Sequence, residues 1–255
     1  MSLCCSRITD MRIRTASWKF PSLPVGLAAL AAITGMGWGW QQSSTPASPT
    51  FTVQRFRDLD EGRERYQRAT DILKALSVSG RDWVADVGAG NGYYSQRLSE
   101  LVGPDGKVFA EEISDYFIDF LDHRVKLFDL HNVEVVKGDV DNPKLPAVSL
   151  SAVLLVDTYH HLTECRPMSE QIIRALKPGG RLVIADYSLS EHRDQPRAEQ
   201  LKIHEIDPRL VQRELEQVGF QVVRCEDPFL KRIPDAKNSS TSRADMWLMI
   251  AVRPK

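Results

Sequence analysis

The chain has 255 residues, 42% of them hydrophobic and 26% charged, with a formal net charge of −1. That is enough apolar material for one sizeable core, and near-neutrality without a Lys/Arg-dense block in the body of the chain argues against a nucleic-acid surface. The four cysteines, Cys4, Cys5, Cys165 and Cys225, form neither a C-x-x-C pair nor a Cys/His metal spacing, so neither a disulfide framework nor a structural metal is expected.

Residues 1–54 read as a segment apart from the rest. Arg7, Arg12, Arg14 and Lys19 precede the uncharged apolar run Val25–Trp40, and Gln41–Gln54 is uncharged and rich in Ser, Thr and Pro. This is the order of a basic region, an apolar segment and a linker. A signal peptide and a single-span membrane anchor both remain open; Met11 is a second candidate start, and the absence of a clean A-x-A site after the run favours the anchor. The run is near the lower limit for a span unless counted from Phe20. A buried soluble helix is the third reading, against which Gly35, Gly37 and Gly39 count. The positive-inside rule places the basic end in the cytoplasm and residues 55–255 across the membrane.

From residue 55 onward strands and helices alternate, which predicts a sheet with helices on both faces. Glu61–Leu76 sets Tyr66, Ala69, Ile72, Leu73 and Leu76 on one helical face. An apolar strand then runs through Val84-Ala85-Asp86-Val87 into Gly88-Ala89-Gly90-Asn91-Gly92, a G-x-G-x-G turn whose glycines let a ligand approach the main chain ahead of a helix N-terminus. After a helix over 92–102, the second strand Lys107–Glu112 ends in acid, and Glu112 lies 20 positions beyond Gly92. That is about where a nucleotide-binding βαβ unit puts the carboxylate that accepts from ribose hydroxyls. Alternation along the strand turns Glu111 to the other face.

A helix over 114–128 leads to a short third strand, Val133–Lys137, followed by Gly138-Asp139, and Ala152–Val156 is a near-continuous apolar run suited to a central strand. It empties into Asp157-Thr158-Tyr159-His160-His161. A helix over 165–176 meets Lys177-Pro178-Gly179-Gly180, a stop signal, before a fifth strand ending near Asp186. A helix over 208–218 closes at Gly219; Phe220–Arg224 and Met246–Val252 follow as strands around the polar loop 237–242.

These four ordered elements, the glycine turn, the acidic end of the second strand, Gly138-Asp139 and the L-K-P-G-G turn, resemble the class I S-adenosylmethionine-dependent methyltransferases over residues 61–252. The resemblance implies a Rossmann-like, doubly wound, mostly parallel sheet of seven strands with an antiparallel C-terminal edge hairpin. It also implies S-adenosylmethionine as cofactor, held by Asp86, Gly88, Ala89, Gly90, Gly92, Glu112 at the ribose, Asp139 at the adenine amine, and Asp157. The general likeness is to the small-molecule branch that includes the ubiquinone/menaquinone C-methyltransferases, which implies a small-molecule or lipid acceptor and leaves its identity and the oligomeric state open.

Ligands of open α/β sheets sit outside the carboxyl ends of the strands. Asp157, Tyr159 and His160 after the fourth strand are therefore the catalytic candidates, with Tyr187 after the fifth; His160 is the expected proton acceptor and His161 the structural partner. His204 is a candidate for a loop over the substrate. Two other classes stay open: a dinucleotide-binding oxidoreductase, against which the missing G-x-G-x-x-G spacing counts, and a membrane-tethered, non-catalytic binding module.

Overall fold

The computed structural model describes residues 50–232 and 244–255, which fall in one compact unit, Ser48–Lys255. The apolar run Val25–Trp40 lies outside the described residues, among which no helix is long and apolar enough to cross a membrane.

Seven strands form one sheet in the order β3-β2-β1-β4-β5-β7-β6. They are β1 (Trp83–Val87), β2 (Lys107–Glu112), β3 (Val133–Lys137), β4 (Leu150–Val156), β5 (Leu176–Ser188), β6 (Gln221–Leu230) and β7 (Asp245–Val252). β1 to β5 are parallel; β7 pairs antiparallel with both β5 and β6, so the expected C-terminal hairpin is present with β6 at the edge. The order reverses beside β1, where chain direction turns outward to β2 on one side and β4 on the other. That switch point is where such sheets open a crevice at the strands' carboxyl ends.

The helices are α1 (Val53–Asp60), α2 (Arg63–Gln67), α3 (Ala69–Ala75), α4 (Tyr93–Val102), α5 (Asp115–Leu127), α6 (Cys165–Ala175), α7 (Arg197–Lys202) and α8 (Pro208–Val218). β4 shows why both faces must be covered. Ala152 and Leu154 pack with α3 and α4, whereas Val153 and Leu155 pack with α6 and α8, and all four are fully buried. Truncating Leu154 or Leu155 to Ala would cost roughly 2–5 kcal/mol by transfer and cavity terms. α8 is bounded by its own chemistry: Asp207 accepts from the Arg209 N–H at 2.9 Å, Pro208 opens the helix, and Gly219 at φ 105° closes it.

The single helix expected over 61–76 is broken. Arg68 takes a left-handed φ of 51° and separates α2 from α3, because its guanidinium is drawn to the Phe229 carbonyl at 2.7 Å and to Asp71. Ala69, Ile72, Leu73 and Leu76 share the buried face as expected, but Tyr66, on the other side of the break, is only half-buried. α1 and α7 were not expected, and α1 starts at Val53, ahead of the 54/55 boundary. Arg124 of α5, almost fully buried, ties α1 to the body by paired bonds to Asp60 at 2.8 and 3.0 Å and one to Gln96 at 3.0 Å.

Candidate active site

The carboxyl ends of β1, β2 and β4 open on one pocket of about 560 Å³, within the roughly 300–1,000 Å³ of small-molecule sites. Its base is the turn between β1 and α4. Gly88 has φ 70°, and a Cβ there would lie 2.4 Å from Thr158 Cγ2, so the position requires glycine twice over. Gly90, at φ 55°, has open space on the side where a Cβ would stand, so a ligand can approach the backbone there. Ala89 is tied down by its N–H on the Glu111 carbonyl at 2.9 Å. Gly92 is not among the pocket-lining residues; it caps α4 from beneath the turn.

Four carboxyl side chains line this pocket: Asp86, Glu111, Glu112 and Asp157. Asp86 is buried and accepts from the Ser95 hydroxyl at 2.6 Å; burial raises its pKa to about 6 in spite of that bond. Glu112 accepts from the Gly90 N–H at 3.0 Å and from the Ile113 and Ser114 N–H groups at 2.8 and 2.9 Å, so its carboxylate sits at the turn where the spacing put it. Glu111 was expected on the opposite face and instead also reaches the pocket. Its Oε2 accepts from the Gly88 N–H at 3.2 Å, while its Oε1 is buried without a partner and stands where a Cβ on Gly138 would be. Burial first, then the charges of Glu112 and Asp86, push its pKa up to about 7.

Asp157 follows β4 in a left-handed conformation, φ 56°, held by its N–H on the Ala185 carbonyl at 2.9 Å. Such a backbone on a non-glycine residue is a local strain of the sort found at functional sites. Its pKa is raised to about 6 by burial and then by the charge of Asp186, against the pull of His160. Arg63 of α2, unremarked in the sequence, also lines the pocket, reaching Asn91 Oδ1 at 3.5 Å and lying 5.0 Å over the Tyr93 ring. It is the first residue of α2, directly after Gly62 at φ 81°. Ile113, Phe117 and Val140 add an apolar wall.

Several expected positions are corrected. Asp139 is exposed, pairs with Lys144 at 3.0 Å and is not among the lining residues; its neighbour Val140 is. The Asp139–Asn142 bridge turns the strand end and aims the carboxylate outward. Tyr159 points away from the crevice: it is buried in the core beneath α6 and α8, and its hydroxyl donates to Glu214 at 3.0 Å. The cause is the short 3-10 turn Tyr159–His161, which sends successive side chains to different sides. Tyr187 is likewise core, bonded to Gln67 at 3.4 Å.

The two histidines differ sharply in their surroundings. His160 is buried, with Nδ1 2.8 Å from Asp186 Oδ1 and its own N–H on Asp186 Oδ2 at 3.0 Å. Burial pushes its pKa down, but the Asp186 carboxylate outweighs this and holds it above the ordinary value. His161 is the exposed one and lines the pocket. Partial burial against its neighbours, then the charges of His160 and His204, hold it down to about 4. His204, on the loop after α7, brings its ring to 5.5 Å from that of His160 and 5.2 Å from that of His161.

A family model described as a methyltransferase domain matches residues 81–228, from the start of β1 into β6. A solved S-adenosylmethionine-dependent methyltransferase from Aquifex aeolicus is 25% identical and superposes with a TM-score of 0.62, covering 80% of this chain and 100% of that one. The chain is also 29% identical to a demethylmenaquinone methyltransferase from Listeria welshimeri over 46% of this chain and 50% of that protein. A ubiquinone/menaquinone biosynthesis C-methyltransferase from Pseudomonas putida is 30% identical over 55% of each chain. The chain thus spans about half the length of the curated relatives it matches. With the glycine turn, the acidic end of β2 and the seven-stranded sheet in their places, the chain belongs to the class I S-adenosylmethionine-dependent methyltransferase family.

Proposed function

We propose that the protein transfers the methyl group of S-adenosylmethionine to a small-molecule or lipid acceptor of the quinone type named for its relatives. The observation that carries this reading is the donor set of the pocket: an open glycine main chain, four carboxyl groups and one guanidinium, Arg63. That set fits a ligand with hydroxyl donors, positive charge and one carboxylate. It does not fit the pyrophosphate of a dinucleotide, which four carboxyls would repel.

The cofactor, when bound, supplies a methyl group already activated on a positively charged sulfur. Glu112 is the acceptor for paired ribose hydroxyls, and Gly90 lets the ligand lie against the main chain. Arg63 is the partner for the carboxylate end, while Ile113, Phe117 and Val140 give a flat ring an apolar face. Asp86 and Glu111, held up to about 6 and 7, give up their protons more readily when a cation enters beside them. The rest of the work is positioning, because holding an acceptor atom in line supplies much of the rate. Leu162, Thr163 and Met168, which follow Asp157 in the chain, also line the pocket and are the surface offered to the acceptor.

Residues 1–54 are proposed to bring the enzyme to a membrane, on the strength of the basic residues and the uncharged run that follows them. Retention without full translocation would keep the active site with a cofactor made in the cytoplasm; an exported form would need another supply. Two experiments test these readings. Calorimetry with S-adenosylmethionine, S-adenosylhomocysteine and NAD should give binding of the first two alone, and NAD binding would defeat the methyltransferase reading. Mass spectrometry of a membrane extract incubated with enzyme and methyl-labelled cofactor should then show the acceptor, and no labelled product would favour a non-catalytic binding module. Cell fractionation that leaves the full-length chain wholly soluble and unprocessed would dispose of the membrane proposal.

A further inference from the structure

We propose that His160, His161 and His204 form a site for one divalent transition-metal ion of the zinc class, on the wall of the crevice beyond β4. One ring nitrogen of each histidine lies within 4.8 Å of those of the other two. Bonds of about 2.0–2.1 Å to a tetrahedral ion need nitrogens about 3.3 Å apart. The two exposed rings, His161 and His204, can close that gap by side-chain rotation.

The second observation is how the third ring is held. Asp186 is fully buried, and its carboxylate engages Nδ1 of His160 at 2.8 Å as well as the N–H groups of His160 at 3.0 Å and Tyr187 at 2.8 Å. This fixes the ring and leaves Nε2 as the nitrogen available to a metal. A buried carboxylate behind a histidine is the arrangement that orients metal-binding imidazoles and raises their basicity. The rings of His161 and His204, by contrast, bond to no protein group among the described residues. His204 is carried toward them by a left-handed backbone, φ 58°, at the end of α7.

Three neutral imidazoles suit zinc and its neighbours and leave a fourth position open. His161 lines the same pocket as Asp157, so an ion held there would border the crevice, and its open position would suit an anionic oxygen or a thiolate of a bound molecule. The inference rests on the histidines and not on the methyl-transfer reading, and it is tested without cofactor.

The full-length chain, without a histidine tag and stripped by a chelator, is titrated with Zn²⁺ and, separately, with Co²⁺. One equivalent of zinc by elemental analysis after gel filtration is expected, with visible absorption of tetrahedral cobalt. His204→Asn keeps a residue that tolerates the left-handed backbone, and it should lose the cobalt band and weaken zinc binding by at least about 100-fold. Asp186→Asn should weaken it by about 10–100-fold. Thermal unfolding without metal shows whether each variant is folded, and His161→Asn gives an independent exposed variant. No stoichiometric zinc in the wild type, or uptake unchanged in folded His161→Asn and His204→Asn, overturns the proposal.

Discussion

The bank of the crevice between β1 and β2 is made largely of backbone, whereas the bank beyond β4 and β5 is made of side chains delivered by separated segments. On the first, Gly88, Gly90 and the strand ends fix the shape, and Glu111 and Glu112 bond straight to glycine N–H groups. On the second, Asp157, His160 and His161 come from the β4 end, Asp186 from β5, and His204 from a loop 43 positions beyond His161. A main-chain site is written in consecutive residues and tolerates little change. A side-chain site is dispersed, and its members can be exchanged singly.

The largest effect should come from the backbone bank. Gly88→Ala puts a Cβ 2.4 Å from Thr158 Cγ2 at a φ of 70°, so left-handed strain of about 1–2 kcal/mol adds to an overpacking cost of about 1–3 kcal/mol. That cost falls first on folding, and because the distorted turn is the base of the pocket, calorimetric affinity for S-adenosylmethionine should drop along with the denaturant midpoint. Adding Thr158→Ala removes the clashing atoms and should recover part of the loss; no recovery would mean that backbone strain, not crowding, makes the position glycine.

Next is Glu111, the carboxyl that the alternation rule turned the wrong way. Its folded pKa, about 7, is above the ordinary 4.5, so the native state holds the proton more tightly than the unfolded chain. Stability from this group is full below about pH 4.5 and is lost as pH rises from there through 7, on the order of 3 kcal/mol in all. Glu111→Gln should flatten that fall, measured as denaturant midpoints from pH 5 to 8, and a variant with the same slope as wild type would clear Glu111 of the effect. Glu112→Ala should cost about 1–3 kcal/mol of cofactor binding, the worth of bonds to a charged group. Unchanged affinity by calorimetry would remove Glu112 from the ribose.

The contrast between the banks also explains what could be read in the sequence. The sheet, its order-giving turns and the place of Glu112 beside the glycine turn were legible because each rests on local grammar: glycines at a turn, an apolar run, an acid at a strand end. Arg63 was not, since what brings it to the pocket is tertiary, its contacts with Asn91 and the Tyr93 ring about 30 positions on. Asp139 was misplaced because its neighbour, not itself, follows the pocket wall, and Lys144 claims its carboxylate. Which of His160 and His161 is buried could not be read, because a 3-10 turn after a strand has neither the period of a strand nor that of an α-helix. The carboxylate that decides between them, Asp186, comes from the next strand.

Tyr159 gives the smallest expected effect and the sharpest test of which side of that turn is functional. Its sequence position, two residues after Asp157, makes it a natural acceptor-site residue, but its ring is packed among Leu162, Met168, Val211 and Leu215, and its hydroxyl donates to Glu214 at 3.0 Å. Glu214 is also bonded to Arg197 at 2.8 Å, so the tyrosine joins α8 to α7 through a polar network behind the crevice. Tyr159→Phe keeps the ring and deletes one hydrogen bond, which should lower stability by about 1 kcal/mol. Cofactor affinity should not move, and neither should turnover once an acceptor is known, because the hydroxyl faces away from the pocket. A Tyr159→Phe variant with wild-type stability but depressed turnover would show that the side chain swings toward the acceptor in the working enzyme, and would restore the strand-four tyrosine to the catalytic bank.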